Sequence, residues 1–209
     1  MALNVGIRET RYEPDAAERQ AFERQQWIRL PAFLDAALLK RVDRALANTQ
    51  FTEVRHDSVA AGSSDLRAIG AAVSELLVLL CNDPIVLRAV EDISGCAPLT
   101  RFNGSIYRMV PERRHRQGWH DDLIDGRRVT LTVNVGTSSY AGGVLEIRDR
   151  TTRRMSAQIC NGVRGDAVLF GLDPSLEHRV TAVTRGVKTA FAGWFRHGTP
   201  LRDELHKAV

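Results

Sequence analysis

Apolar positions along this chain repeat with two different periods. Up to about residue 99 they recur every three to four residues. From about residue 100 they fall in short runs separated by Gly, Asp, Asn or Pro. In the first half, Asp35 can cap a helix running to about Asn48, with Leu38, Leu39, Val42 and Leu46 on one face. Ser64 is placed to cap a second helix, in which Leu66, Ile69, Val73, Leu76, Leu77 and Leu80 recur at helical spacing. Asp83-Pro84 puts Pro in the first turn of a third helix, which Gly95 ends. Trp27 to Leu30 is a short extended apolar run punctuated by Pro31.

The second half reads differently. Segments near 102–110, 128–135, 143–148, 154–160, 166–170, 178–184 and 188–196 are short and rich in Val, Ile, Thr, Phe and Trp. Many short strands with turn signals between them predict a β sandwich or barrel. The expected architecture is mainly β with N-terminal helices: a jelly roll, or double-stranded β-helix, buttressed by α-helices. Residues 1–209 are expected to form one domain, with 1–99 as helical support and 100–197 as the jelly-roll core.

Composition narrows the class. Apolar residues make up 44% and charged residues 26%, the balance of a globular protein. The longest apolar run, Leu76 to Cys81, is far too short to span a bilayer. The segment from Met1 to Pro14 lacks the apolar core of a signal peptide. Three widely spaced cysteines, Cys81, Cys96 and Cys160, make neither a disulfide framework nor a CxxC metal site. Cys160, on an expected strand, is read as a small core residue. A reducing cytoplasm is the expected setting. Net charge is +4 and spread along the chain, which disfavours a nucleic-acid partner. The densest basic cluster is Arg113-Arg114-His115-Arg116. With Arg108 and Arg127-Arg128 it could ring the mouth of a barrel and draw in an anionic substrate or an acidic carrier protein. A solvated basic loop is the plainer reading.

The chemistry centres on Trp119-His120-Asp121-Asp122, with His178 following His120 by 58 residues and Lys188 ten later. On a strand, residues two apart share a side. His120 and Asp122 would then both face the interior, while Asp121 faces away. A distant strand could deliver His178. Two imidazoles and a carboxylate on one face of an octahedron are the ligand set of non-haem Fe(II) oxygenases. The His-x-Asp motif alone is weak, since a hydrogen-bonded surface pair has the same spelling.

Its surroundings resemble a family. Tyr107 ends a run (Gly104-Ser105-Ile106-Tyr107) ahead of the metal motif, and Arg128 to Val133 follows it. Then come Gly142-Gly143-Val144-Leu145, Gly165 to Phe170 leading into His178, and Val180 to Phe195 carrying Lys188 and Trp194. In this order they resemble the Fe(II)/2-oxoglutarate-dependent dioxygenases, and among them the prolyl 4-hydroxylase-like branch. The resemblance covers roughly residues 100–196. The segment between Tyr107 and His120 is longer and more basic than the family pattern, and Asn134-Val135-Gly136 departs from its usual strand ending.

The resemblance implies a function. Fe(II) would be held by His120, Asp122 and His178, with 2-oxoglutarate and O2 as co-substrates. Lys188 would pair with the far carboxylate of 2-oxoglutarate, and Tyr107 could donate to the same group. Thr130, Thr132 and Asn134 share one strand face and would line the co-substrate pocket if that face is interior. The more apolar set Val129, Leu131, Val133 and Val135 competes for that place. Trp194 could contact the co-substrate or sit in the core, and Arg196 could line the rim. His56, His197 and His206 are taken as surface residues, and His115 is not at ligand spacing. The expected reaction is hydroxylation of an unactivated C–H bond, with release of succinate and CO2. The substrate would be an amino acid, a peptidyl residue or a small biosynthetic intermediate. Asp122 favours hydroxylation over halogenation, since related halogenases lack this carboxylate. Oxidative demethylation of nucleic acid and a catalytically silent metal-binding jelly roll are the alternatives.

Overall fold

Both faces of the large sheet are covered, and that division positions the site. The computed structural model describes residues 3–56 and 62–198. In chain order the strands are β1 (Leu3–Val5), β2 (Thr10–Tyr12), β3 (Trp27–Leu30), β4 (Thr52–Arg55), β5 (Ser64–Arg67), β6 (Arg101–Met109), β7 (Gln117–His120), β8 (Arg127–Asn134), β9 (Tyr140–Gly142), β10 (Leu145–Asp149), β11 (Met155–Ile159), β12 (Ala167–Gly171), β13 (Leu176–Val180), β14 (Val183–Gly186) and β15 (Lys188–Arg196). The helices are α1 (Ala16–Gln25), α2 (Ala36–Leu46), α3 (Ala72–Cys81) and α4 (Pro84–Ser94). Strands β3-β12-β8-β15-β6-β5-β4 form the large sheet and β11-β10-β13-β7 the smaller one. The two sheets form the jelly roll, and β14-β9 pair beside its mouth.

Alternation along the central strands sends successive residues to opposite faces. On β8, Val129, Leu131 and Val133 join the main core with Leu38, Val42, Leu77, Val90 and Ile93 of the helices. On β15 the corresponding residues are Phe191 and Phe195, which meet Phe102 of β6 at ring-centroid distances of 5.6 and 4.7 Å. The intervening Gly193 lies opposite Gly104 in the β15–β6 register. The Phe102 ring lies where a Cβ on either glycine would project. The other face looks between the sheets. There Val168 and Phe170 pack on Leu145, Ile147 and Ile159. Thr130, Thr132, Ala192 and Trp194 line an open cavity.

Local signals explain most helix ends. The Asp35 carboxylate accepts from the Leu38 N–H at 2.6 Å, and Asp83 accepts from Ile85 at 2.8 Å with Pro84 in the first turn. Gly95 ends α4 in the left-handed region. Three expectations need correction. Ser64 does not cap a helix: Ser64–Arg67 is a strand, and α3 starts at Ala72 with no side-chain cap. Leu66 and Ile69 fit the helical period only by coincidence, for Gly70 turns the chain at φ 63° and Ile69 is 67% exposed. The 178–184 segment is not one strand, because β13 belongs to the smaller sheet and β14 pairs with β9. Cys160 lies just past β11 and is exposed, not core. The first hundred residues supply β3, β4 and β5 to the large sheet as well as helices.

Candidate metal and co-substrate site

The cavity between the sheets measures about 300 Å³, at the lower end of the range for small-molecule sites. His120 ends β7 and stands directly opposite His178 of β13, with ring centroids 4.3 Å apart. Asp122 reaches them by a route other than strand alternation. Strand β7 stops at His120, and Asp122 adopts a left-handed backbone at φ 56°, a conformation Asp tolerates better than most residues. The turn is pinned by the Leu123 N–H donating to Asp121 Oδ1 at 3.1 Å and by Ile124 N–H donating to the Asp122 carbonyl at 2.8 Å. Asp121 then faces outward, paired with Arg150 at 2.8 Å. The expectation that Asp122 rather than Asp121 faces inward agrees with the structure, but the cause is a turn.

Asp122 Oδ2 lies 3.4 Å from His120 Nε2 and 3.3 Å from His178 Nε2. The three side chains are 11%, 9% and 8% exposed. One donor atom from each lies within 4.8 Å of the others, a grouping that could hold a metal ion. The surroundings fix their orientation. His120 Nδ1–H donates to the Gly118 carbonyl at 2.7 Å, which leaves Nε2 as the lone pair turned to the centre. Trp194 Nε1–H donates to Asp122 Oδ2 at 2.9 Å and Arg127 to Oδ1 at 3.1 Å. The Arg127 guanidinium also stacks 3.7 Å from the Trp194 ring centroid. Burial pushes the Asp122 carboxyl up, but the hydrogen bonds and charge of His120 and His178 outweigh it, so it sits well below the usual range. Burial pushes His178 down. For His120, burial is more than offset by Asp122 and Gly118, and the net direction is up.

Lys188 begins β15 and also lines the cavity, 5% exposed. Its ammonium donates to the Gly143 carbonyl at 2.7 Å and lies 5.9 Å from the Tyr140 ring centroid. Among the described residues no carboxylate is within ion-pair distance of it. Burial pushes its pKa down to about 8. An ammonium has three N–H groups, so this one retains donors for a ligand. Tyr107 and Thr132 line the same wall, and burial pushes the Tyr107 hydroxyl well up. The Thr130 hydroxyl is buried with no partner among the described residues, a polar atom that suits a bound ligand.

The remaining candidates sort as follows. Val129, Leu131 and Val133 face the helices, so Thr130 and Thr132 face the cavity and both competing expectations hold, one per face. Asn134 does not line the cavity; its side chain accepts from Gly136 N–H and donates to the Gly162 carbonyl. Arg196 is not in the lining either. Within the basic segment, Arg113 pairs with Glu53, and His115 is fully buried, accepting from the Val110 N–H. His197 is half-buried, bonded to the Pro98 carbonyl, and His206 lies outside the described residues. His56 is not a free surface residue. It lines the cavity with Ser63, Arg67 and Gln117, a wall that sequence reasoning missed because it comes from the N-terminal half and from β7.

No helix among the described residues is long and apolar enough to cross a membrane. A family model described as the 2OG-Fe(II) oxygenase superfamily matches residues 104–196. No curated protein sequence matches the chain significantly. Among solved structures, the chain is similar to an oxidoreductase of the 2OG-Fe(II) oxygenase family from Burkholderia pseudomallei. That pair has a TM-score of 0.69 and 18% identity, over 95% of this chain and 98% of the other. A Pseudomonas putida prolyl-4-hydroxylase gives a TM-score of 0.63 at 18% identity, over 88% of this chain and 98% of that one. A non-heme alpha-ketoglutarate-dependent carbocyclase from nogalamycin biosynthesis gives 0.61 at 14% identity, over 93% and 91%. At these identities the structural likenesses speak for the fold, and the family match over 104–196 speaks for the chemistry. The match over residues 104–196, with the His120, Asp122 and His178 grouping, supports a 2OG-dependent oxygenase, of the superfamily whose members use Fe(II), 2-oxoglutarate and O2.

Proposed function

We propose that this oxygenase hydroxylates a C–H bond of a small substrate, with His120, Asp122 and His178 holding the iron and Lys188 anchoring 2-oxoglutarate. The observation that carries the reading is their placement in one cavity. The largely buried triad and a buried ammonium with no anionic partner among the described residues line the same space. Bound Fe(II), with 2-oxoglutarate and O2, supplies the oxidation of the C–H bond and the release of succinate and CO2.

The chain's own residues account for binding and orientation. Gly118 holds the His120 tautomer, and Trp194 with Arg127 holds the Asp122 carboxylate, each by a hydrogen bond from outside the triad. Lys188 offsets the charge of a carboxylate taken out of water, a cost of several kcal/mol when uncompensated. Tyr107, Thr130 and Thr132 offer hydroxyls along the same wall. Leu145, Phe170 and Val180 supply apolar surface that limits water. The cavity's size favours an amino acid or small intermediate over a folded partner. The family's P. putida prolyl-4-hydroxylase neighbour lends support to hydroxylation as the outcome. Three N-terminal strands in the large sheet support reading residues 1–209 as one domain.

The test is anaerobic addition of Fe(II) and 2-oxoglutarate, read by the weak visible charge-transfer band of the chelate. Wild type should develop the band, and His178→Ala should not. A band that survives His178→Ala overturns the ligand assignment, and no band in wild type overturns the reading as a whole.

A further inference from the structure

The cavity has a second cationic wall that neither the iron nor 2-oxoglutarate accounts for. Asp65 and Arg67 sit two apart on β5 and share a side of the sheet. The Asp65 carboxylate is fully buried and accepts from Arg67 Nε at 2.6 Å and Nη2 at 2.9 Å. It also lies 3.2 Å from His56 Nε2 and accepts from Gln117 Nε2 at 3.4 Å. Arg67 Nη1 donates to Ser105 Oγ at 2.7 Å. The guanidinium carbon stands 5.4 Å from the Tyr107 ring centroid. Among the described residues these contacts use three of the five N–H groups an arginine offers. The other two remain on a side chain that lines the cavity and is 20% exposed.

Position separates this group from Lys188. In the sheet register Arg67 pairs with Tyr107, which pairs with Ala190. Arg67 therefore lies two strands to the side of β15, about 10 Å at ordinary strand spacing. The line from Lys188 to Trp194 runs along β15 itself. On the reading above, 2-oxoglutarate follows that line, with one carboxylate at Lys188 and the other at the metal end. Both of its charges are then matched without Arg67. A guanidinium held rigid by a buried carboxylate has lost its rotamer freedom in advance and presents a planar donor edge, the arrangement that recognises carboxylates well.

We infer that Arg67, held by Asp65 and Ser105, anchors a carboxylate of the primary substrate. The inference rests on Lys188 holding 2-oxoglutarate. The substrate class is thus a small carboxylic acid with its reacting C–H bond turned to the triad. His56, Ser63 and Gln117 supply polar contacts around the same end of the cavity.

The test uses the Fe(II)- and 2-oxoglutarate-loaded enzyme and a panel of L-amino acids and simple aliphatic and aromatic acids, each beside its primary amide. Binding is read by calorimetry without O2, and turnover by succinate release above the substrate-free rate. Acids should bind and stimulate turnover, while their amides lose at least about tenfold in affinity. Arg67→Gln should weaken acid binding by about 10- to 100-fold, the range for a charge-assisted pair. The affinity for 2-oxoglutarate should stay within about twofold, and Arg67→Lys should recover part of the loss. Amides that bind as well as acids, a panel in which no acid binds, or an Arg67→Gln variant with wild-type acid affinity would each overturn the inference. So would a loss of 2-oxoglutarate affinity in Arg67→Gln. Failure of the underlying reading looks different, since it leaves 2-oxoglutarate binding intact in Lys188→Met. If Arg67→Gln does not fold, the acid–amide comparison on wild type and the Arg67→Lys variant still decide.

Discussion

Replacing Lys188 by Met should make the metal-free protein more stable near neutral pH while removing its affinity for 2-oxoglutarate. The lysine is buried, and burial lowers its pKa from 10.5 to about 8. At about 1.4 kcal/mol per pKa unit, keeping the ammonium charged costs the folded state on the order of 3 kcal/mol below pH 8. Met removes that cost and nearly conserves the volume. It also strips the Gly143 carbonyl of the donor at 2.7 Å, which gives back about 1–2 kcal/mol. The net gain is about 1–2 kcal/mol, or roughly 2–8 °C in Tm for a chain of this size. The sign with pH is the sharper test. Between pH 8 and 10.5 the unfolded lysine holds a proton that the folded one has released, so wild-type stability rises with pH. The variant has no such group. Its advantage should be full below pH 8, shrink by about 1.4 kcal/mol per pH unit above it, and become a small deficit near pH 10.5. Urea unfolding of both proteins at pH 7, 8, 9 and 10 in the presence of a chelator measures this. An advantage that does not change with pH, or a loss of stability at pH 7, would refute the claim that a buried charge is the cost. With Fe(II) bound throughout, 2-oxoglutarate at 100 times its Kd should add about 3 kcal/mol to wild type and much less to Lys188→Met.

The same lysine predicts that the KM for 2-oxoglutarate is flat below pH 8 and rises about tenfold per pH unit above it, because the anion binds the charged form. In Lys188→Arg the rise should disappear from the accessible range. Gly143→Ala should destabilise the protein by about 1–2 kcal/mol, since the residue has φ 60°, and should raise the KM for 2-oxoglutarate, since its Cβ would stand 2.9 Å from Lys188 Cδ. Phe102→Ala, in the core shared with the helices, should cost about 3–5 kcal/mol in urea unfolding and leave the KM values of the folded enzyme unchanged. Trp194→Phe removes the donor to Asp122 Oδ2 and should weaken Fe(II) binding about 10- to 100-fold, measured by competition with a chromophoric chelator.

Some of this fold is legible in the sequence because one signal dominates locally. Asp35 and the apolar face of Leu38, Leu39, Val42 and Leu46 suffice for α2, and Asp83-Pro84 with Gly95 brackets α4. Most strands of the second half are equally plain, since β-branched and aromatic residues cluster between turn residues, but the short β7 and β9 carry no such signal and 178–184 holds parts of two strands. What could not be read depends on partners remote in sequence. Helix α1 buries only Phe22, so its period carries almost no apolar signal. Strand β5 contains Asp65, which is fully buried only because Arg67, His56 and Gln117 surround it. In isolation Ser64-Asp65-Leu66-Arg67 looks like a helix start, and only the pairing with β4 and β6 makes it a strand.

The site divides along the same line. His178 and Lys188 lie in segments read as strands, His120 is marked by its motif, and the structure brings all three to one cavity. The face of β8 was undecidable from composition because neither face is exposed. Leu131 and Val133 meet helices while Thr130 and Thr132 meet the cavity, so a sheet buried on both sides defeats the rule that the apolar face is the inner one. Asp122 needed a left-handed residue, and no spacing rule predicts one there. The wall carrying Arg67 needed the N-terminal half to join the large sheet, which a split between support and core conceals. The residues the family pattern supplies lie on β6, β7 and the turn after it, β8, β13 and β15, whereas Arg67, His56 and Ser63 come from outside the matched segment 104–196. Iron and co-substrate handling can therefore stay constant while the N-terminal strands change what the cavity accepts. For this chain the cue to the substrate lies with β5 and the Asp65–Arg67 pair, beyond the reach of the motif that identifies the chemistry.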